Sequence, residues 1–142
     1  MQQAVPIPFR VDPRAAARHL RERERGRRRR LRGKWCQAQR DFLRIRDVIV
    51  NKYAPARIYQ WGSLLAPERF SEISDIDIAV EGIRSAEDYF SMLGDVMELT
   101  RFPVDLVELD KIDPLHAASI RQHGHLAYSR IPGETAQPPS TP

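Results

Sequence analysis

Residues 60–82 read QWGSLLAPERFSEISDIDIAVEG, and the order of small, acidic and apolar residues in them decides how the chain is expected to fold. Two acids, Asp75 and Asp77, flank Ile76, and the apolar Ile78, Ala79 and Val80 follow. Such an apolar run reads as a buried strand. Alternate residues of a strand face the same way, so both carboxylates leave one face, about 7 Å apart at Cα. Like charges that close raise each other's pKa unless a cation lies between them. Mg2+ or Mn2+ suits such a site, because hard divalent cations take oxygen ligands from one or two carboxylates plus substrate phosphates.

A place for phosphates lies upstream. Residues 57–61 read as a strand, and Ser63, Leu64, Leu65 and Ala66 as a short helical turn stopped near Pro67. Gly62 lets the backbone approach a ligand closely. The amides opening the turn form an anion site, to which the Ser63 hydroxyl adds a hydrogen bond. Alone, a Gly-Ser pair is mostly a turn, and an Asp-x-Asp is often a solvated strand end. Together, with eleven residues between Ser63 and Asp75 and each on the expected element, they form a strong signal.

Charge divides along the 142 residues. Residues 1–46 hold 15 Lys/Arg against 4 Asp/Glu, a net of +11, and residues 47–142 hold 8 against 15, a net of −7. The pI near 9.6 therefore belongs to the N-terminal part. The length suits one small domain. No apolar run approaches a membrane span or a signal-peptide core, and a single cysteine, Cys36, fits a reducing cytoplasm.

Residues 1–10 are expected to be extended or disordered. Asp12 then Pro13 reads as an N-cap and first helical position. A helical pattern then runs to Tyr53, interrupted at Gly26 and Gly33 and closed before Pro55. Its second half is amphipathic through Trp35, Ala38, Phe42, Ile45, Val48 or Ile49, and Tyr53. The first half, HLRERERGRRRRLRGK, has almost no apolar face and reads as a solvated arm, either helical with Glu–Arg pairs or partly disordered. An arginine cluster could make a weak electrostatic contact with nucleic acid. Without aromatics or base-reading architecture, a solvated arm or one docking on an acidic partner is favoured.

Beyond the opening stretch, Ser85 to Asp88 has the form of a capping box. The helix it opens carries an apolar stripe of Ala86, Tyr89, Phe90, Leu93, Val96 and Met97, read as core packing. A strand over residues 104–109 turns Asp105 opposite to Val104 and Leu106, so Asp105 can share a face with Asp75 and Asp77. A third carboxylate from a neighbouring strand is what a two-metal phosphoryl-transfer site requires. Glu108, Asp110 and Asp113 read as surface acids, with Asp113 capping a helix over residues 114–123 that ends at Gly124. His123 and His125 lack a third ligand and read as unligated. Residues 131–142 form a Pro/Thr/Ser tail expected to be disordered.

The stretch resembles the signature of the DNA polymerase β-like nucleotidyltransferase superfamily: Gly-Ser, ten to thirteen residues, then Asp-x-Asp. Ser74-Asp75-Ile76-Asp77 is most similar to its small prokaryotic members, the minimal nucleotidyltransferases, and thus to the antitoxin half of HEPN/MNT toxin–antitoxin pairs. The likeness runs through residues 102–108 and 120–128, so it covers about 57–128. It implies an α/β fold: a mixed sheet bearing the three aspartates, flanked by helices on one side and fed by a long basic N-terminal helix. The expected organisation is a basic arm at 1–34, the nucleotidyltransferase domain at 35–130 and a tail at 131–142.

The resemblance implies metal-dependent transfer of AMP from ATP to an acceptor hydroxyl. Gly62 and Ser63 would hold the triphosphate, Asp75 and Asp77 the metals, and Asp105 would complete one metal site and help deprotonate the acceptor. A tyrosine of a partner HEPN toxin is the acceptor such pairs use. The rivals are a non-catalytic module that docks on nucleotide or toxin, and an adenylyltransferase acting on a small molecule such as an aminoglycoside. No helical acceptor domain is expected, so a separate protein would supply that wall; an oligomer is a further option. One departure stands out. Many members carry Arg shortly after Gly-Ser, where this chain has Leu64 and Leu65, and Arg69 is the candidate replacement.

Overall fold

The computed structural model describes residues 11–138. The expectation for residues 1–10 and the end of the tail, 139–142, lie outside them. The elements in order are α1 (Pro13–Tyr53), β1 (Arg57–Trp61), two short 3-10 turns (Gly62–Leu65 and Pro67–Arg69), β2 (Ile76–Glu81), α2 (Ala86–Leu99), β3 (Val104–Glu108), α3 (Pro114–His123) and β4 (His125–Ser129). The expected α/β architecture is present as a four-stranded mixed sheet, ordered β3-β2-β1-β4. β1 runs antiparallel to β2 and β4, and β2 runs parallel to β3. The chain divides into two units, Met1–Arg30 and Leu31–Pro142.

α1 departs from expectation by running unbroken through Gly26 and Gly33. A helical glycine costs only about 1 kcal/mol relative to alanine, and the flanking arginines are strong helix formers. Within the second unit, Trp35, Ala38, Phe42, Ile45 and Ile49 recur at three- and four-residue steps and are buried. They meet one sheet face, Ile58, Ile76, Ile78, Val80 and Leu106, together with Met92 and Val96 of α2.

The capping box forms, with Asp88 N–H donating to the Ser85 hydroxyl (3.1 Å). The buried face of α2 is rotated from the expected stripe. Met92 and Val96 are buried and Tyr89, Leu93 and Leu99 half-buried, whereas Phe90 and Met97 are exposed. Periodicity gave the helix but not the edge of its buried arc, because Phe90 and Met97 lie only one position from core residues.

Helices cover both sheet faces rather than one. Alternation turns Tyr59 and Ala79 to the second face, where Ala117 and Ile120 of α3 pack with Leu109. Asp113 caps α3 as expected, accepting from the Leu115 and His116 amides. Gly124 ends α3, but in an extended rather than left-handed conformation. Glycine is needed there because a Cβ would stand 2.4 Å from the Ile120 carbonyl oxygen. Buried Glu81 joins the elements, pairing with Arg57 of β1 (2.7 Å) and Arg121 of α3 (2.6 Å). Arg57 also grips Glu134, which ties the first part of the tail to β1.

Candidate functional site

The site is built on the second sheet face at the ends of β1, β2 and β3. Parallel register sets Asp77 of β2 opposite Asp105 of β3, and antiparallel register sets it opposite Trp61 of β1. Asp77 alternates with the inward Ile76 and Ile78, so its carboxylate leaves the face away from α1 and α2. Asp105 does the same between half-buried Val104 and buried Leu106, and is itself exposed. Asp75 lies one residue before β2, in the loop that the Ser71 amide and the Ser74 hydroxyl close (2.8 Å). The Ile76 amide donates to the Pro103 carbonyl (2.8 Å), which aligns the starts of β2 and β3.

No Lys or Arg among the described residues pairs with Asp77. Burial, then the charge of Asp105, then that of Asp75, push its pKa up to about 7. The structure therefore brings all three predicted carboxylates within electrostatic reach, with Asp77 at the centre. Among the described residues, no group of three or more His, Cys, Asp or Glu is arranged to hold a metal ion. The donor chemistry nevertheless fits a hard divalent cation: oxygen-only, anionic, partly buried and without a protein cation to neutralise it.

Gly62 opens the first 3-10 turn with φ +76°, and a Cβ on it would lie 2.0 Å from the Asp77 carboxylate oxygen. Glycine thus lets the turn pack directly against the acid. Ser63 follows, half-buried, its hydroxyl without a hydrogen-bond partner among the described residues. Leu64 is fully buried in the main core, which explains its apolar character at that position. Arg69 is exposed and forms no ion pair among the described residues.

A polar network that the sequence reading missed holds this turn. The Leu64 carbonyl accepts from Trp35 Nε1 (3.1 Å) and from Gln39 Nε2 (2.9 Å), both on α1. Gln39 Oε1 in turn accepts from Gln60 Nε2 (2.7 Å). Both glutamines are buried, and the signal was available, since each occupies an inward position of an otherwise apolar pattern. Trp61 was also missed; its ring stands edge-on to His116 of α3, at 5.5 Å between centroids and 85°. His123 and His125 belong to no metal cluster among the described residues. His123 Nδ1 is 3.2 Å from the Ser119 carbonyl.

The sequence pattern of the polymerase beta nucleotidyltransferase family matches residues 44–132. A solved mutant of the toxin–antitoxin MntA-HpeT is 17% identical, covering 64% of this chain and 72% of that one, with a TM-score of 0.49. A toxin–antitoxin solved with AMP-PNP is 19% identical over 64% of this chain and 73% of that one, with a TM-score of 0.50. The latter likeness is one of fold. No curated protein matches the chain.

Proposed function

This chain belongs to the polymerase beta nucleotidyltransferase family, and from that premise we infer that it transfers AMP from ATP to the hydroxyl of an acceptor. The observation that carries the reading is the packing of Gly62 against Asp77, with Asp105 in register beside it. A phosphate turn and a carboxylate pair have little structural reason to share a spot where their charges stay uncompensated.

In this reading, the amides after Gly62 and the Ser63 hydroxyl bind the triphosphate and aim its α-phosphorus at the acid face. Asp75, Asp77 and Asp105 would hold Mg2+ or Mn2+, which neutralises phosphate charge and lowers the pKa of the attacking hydroxyl. Asp105, the most exposed of the three, faces the acceptor and takes its proton. The acceptor oxygen forms a bond to the α-phosphorus as the bond to the bridging oxygen breaks, and pyrophosphate leaves with the electron pair. The reaction spends cytoplasmic ATP.

The acceptor we assign is a tyrosine of a partner HEPN toxin. The basis is the likeness of residues 60–82 to minimal nucleotidyltransferases, together with a fold shared with a toxin–antitoxin solved with AMP-PNP. The test uses α-32P-labelled ATP, Mg2+ and that partner. Wild type should label the partner and release pyrophosphate. Asp77→Asn should lower the rate at least ~10²-fold, because it removes metal charge stabilisation worth several kcal/mol. Labelling that persists with Asp77→Asn, or in excess chelator, would sink the assignment.

A further inference from the structure

The arginine arm has no part in the transfer just described, and its geometry supports a separate role. Residues 13–34 carry 10 Arg and 1 Lys against 2 Glu, on an unbroken helix. The arginines are not scattered. Arg14, Arg18, Arg21, Arg25 and Arg28 follow one another at steps of four and three, with Arg29 beside them. At 3.6 residues per turn these six fall within an arc of about 100°. All six are exposed. Among the described residues, only Arg28 of the stripe is engaged, by Glu24, which also meets Arg27.

We propose that this stripe is a docking surface for the phosphate backbone of a double-stranded nucleic acid. Three features favour phosphates over an acidic protein. Protein interfaces are anchored by buried aromatic and apolar side chains, and residues 13–34 contain no aromatic and one exposed large apolar side chain, Leu20. The cations are almost all guanidinium, whose planar fork matches phosphate oxygens two at a time. The stripe is also long: from Arg14 to Arg29 it extends about 22 Å, a length over which a duplex presents about 13 phosphates. The contact reads charge and spacing, because phosphate contacts fix a protein on a duplex but carry no sequence information.

Binding is measured with the full chain by fluorescence anisotropy, using labelled 20-base-pair DNA and RNA duplexes and, as the competing probe, labelled poly-L-glutamate. Five arginines of the stripe, unpaired among the described residues, predict that affinity for a duplex falls about 500-fold between 50 and 200 mM salt. Replacing Arg18, Arg21, Arg25 and Arg29 by Gln, a good helix former, should cut that dependence to about threefold. Replacing Arg23, Arg27, Arg30 and Lys34 removes the same charge from the opposite side and should leave the salt dependence near that of wild type. The tighter of the two duplexes identifies the biological form. Equal effects of the two quadruple variants, poly-glutamate binding as tight as the duplexes, or no duplex binding at 50 mM salt would each overturn the proposal. Nucleotide transfer is not the readout, so failure here leaves that reaction untouched.

Discussion

At the scale of the residue, Asp77 and Gly62 act as one unit. Ala at position 62 would be strained at φ +76° and would drive its Cβ into the Asp77 carboxylate. Gly62→Ala should therefore cost about 1–2 kcal/mol of stability from the backbone alone. It should also reduce transfer by ~10² or more, because a displacement of about 1 Å at a reacting centre is enough to do that. A Gly62→Ala protein with normal transfer would show that the turn does not hold substrate. Asp77 makes a second prediction, on pH. Its folded pKa is raised to about 7 by burial and by Asp105 and Asp75, so the folded state keeps a proton that the unfolded state releases near pH 4. Its charge therefore costs nothing at pH 4, and the cost grows as pH rises to 7. Asp77→Asn should stabilise the metal-free protein at pH 8 by about 1–2 kcal/mol, allowing for solvent screening of a half-buried group, and by much less at pH 4.5. Urea unfolding in chelator checks this; an equal gain at both pH values would remove charge as the cause. Both residues were legible in the sequence because their chemistry restricts them: few structural roles demand Gly-Ser and Asp-x-Asp at one spacing.

At the scale of the element, α1 does more than cover the sheet. Trp35 and Gln39 hold the Leu64 carbonyl, and Gln60 holds Gln39, so the first 3-10 turn is pinned from behind by a helix. Gln39→Leu would leave the Gln60 amide without its acceptor and the turn with one donor fewer, at a cost of about 1–3 kcal/mol. Because the turn is the inferred triphosphate site, the KM for ATP should rise, about tenfold if 1.4 kcal/mol of binding is lost. Loss of stability with an unchanged KM would restrict the network to a structural role. This scale also marks where the sequence became hard to read. Strand β1 and helix α3 follow from local pattern and caps, since Pro114, Asp113 and Gly124 punctuate the chain. The orientation of α2 does not, because a helix with apolar residues at 86, 89, 90, 93, 96 and 97 has a wide apolar arc and tertiary packing selects which part is buried. Helices on both faces were equally illegible, as only the pairing of Tyr59 and Ala79 with Ala117 and Ile120 reveals the second face. Gln39 and Gln60 were readable as polar residues at inward positions of apolar patterns, and were missed.

At the scale of the whole molecule, every buried core residue among the described ones lies in the second unit, Leu31–Pro142. Removal of residues 1–30 should leave cooperative thermal unfolding of the remainder, with Tm within a few degrees of the full chain, since none of the described residues 11–30 is buried. Loss of cooperativity would show that the arm supports the core. The proposed function leaves two ways to neutralise a partner, chemistry or docking alone, and Phe90 and Met97 on α2 offer apolar surface to either. The double substitution Asp75→Asn/Asp77→Asn separates them. It removes repulsion without removing volume, so the fold and the exposed face of α2 persist, and partner capture should remain. It also removes two of three inferred metal ligands, so transfer should stop. Co-expressed with the partner, wild type should therefore leave it heavier by one AMP on a tyrosine and harmless, while the double variant leaves it unmodified, bound and active. Intact-mass spectrometry of the partner and cell growth read the two outcomes independently. Protection by the double variant equal to that of wild type would make docking the mechanism. The acid face argues against that outcome: a module that only docks gains nothing from keeping Asp77 half-buried among like charges with no cation of its own.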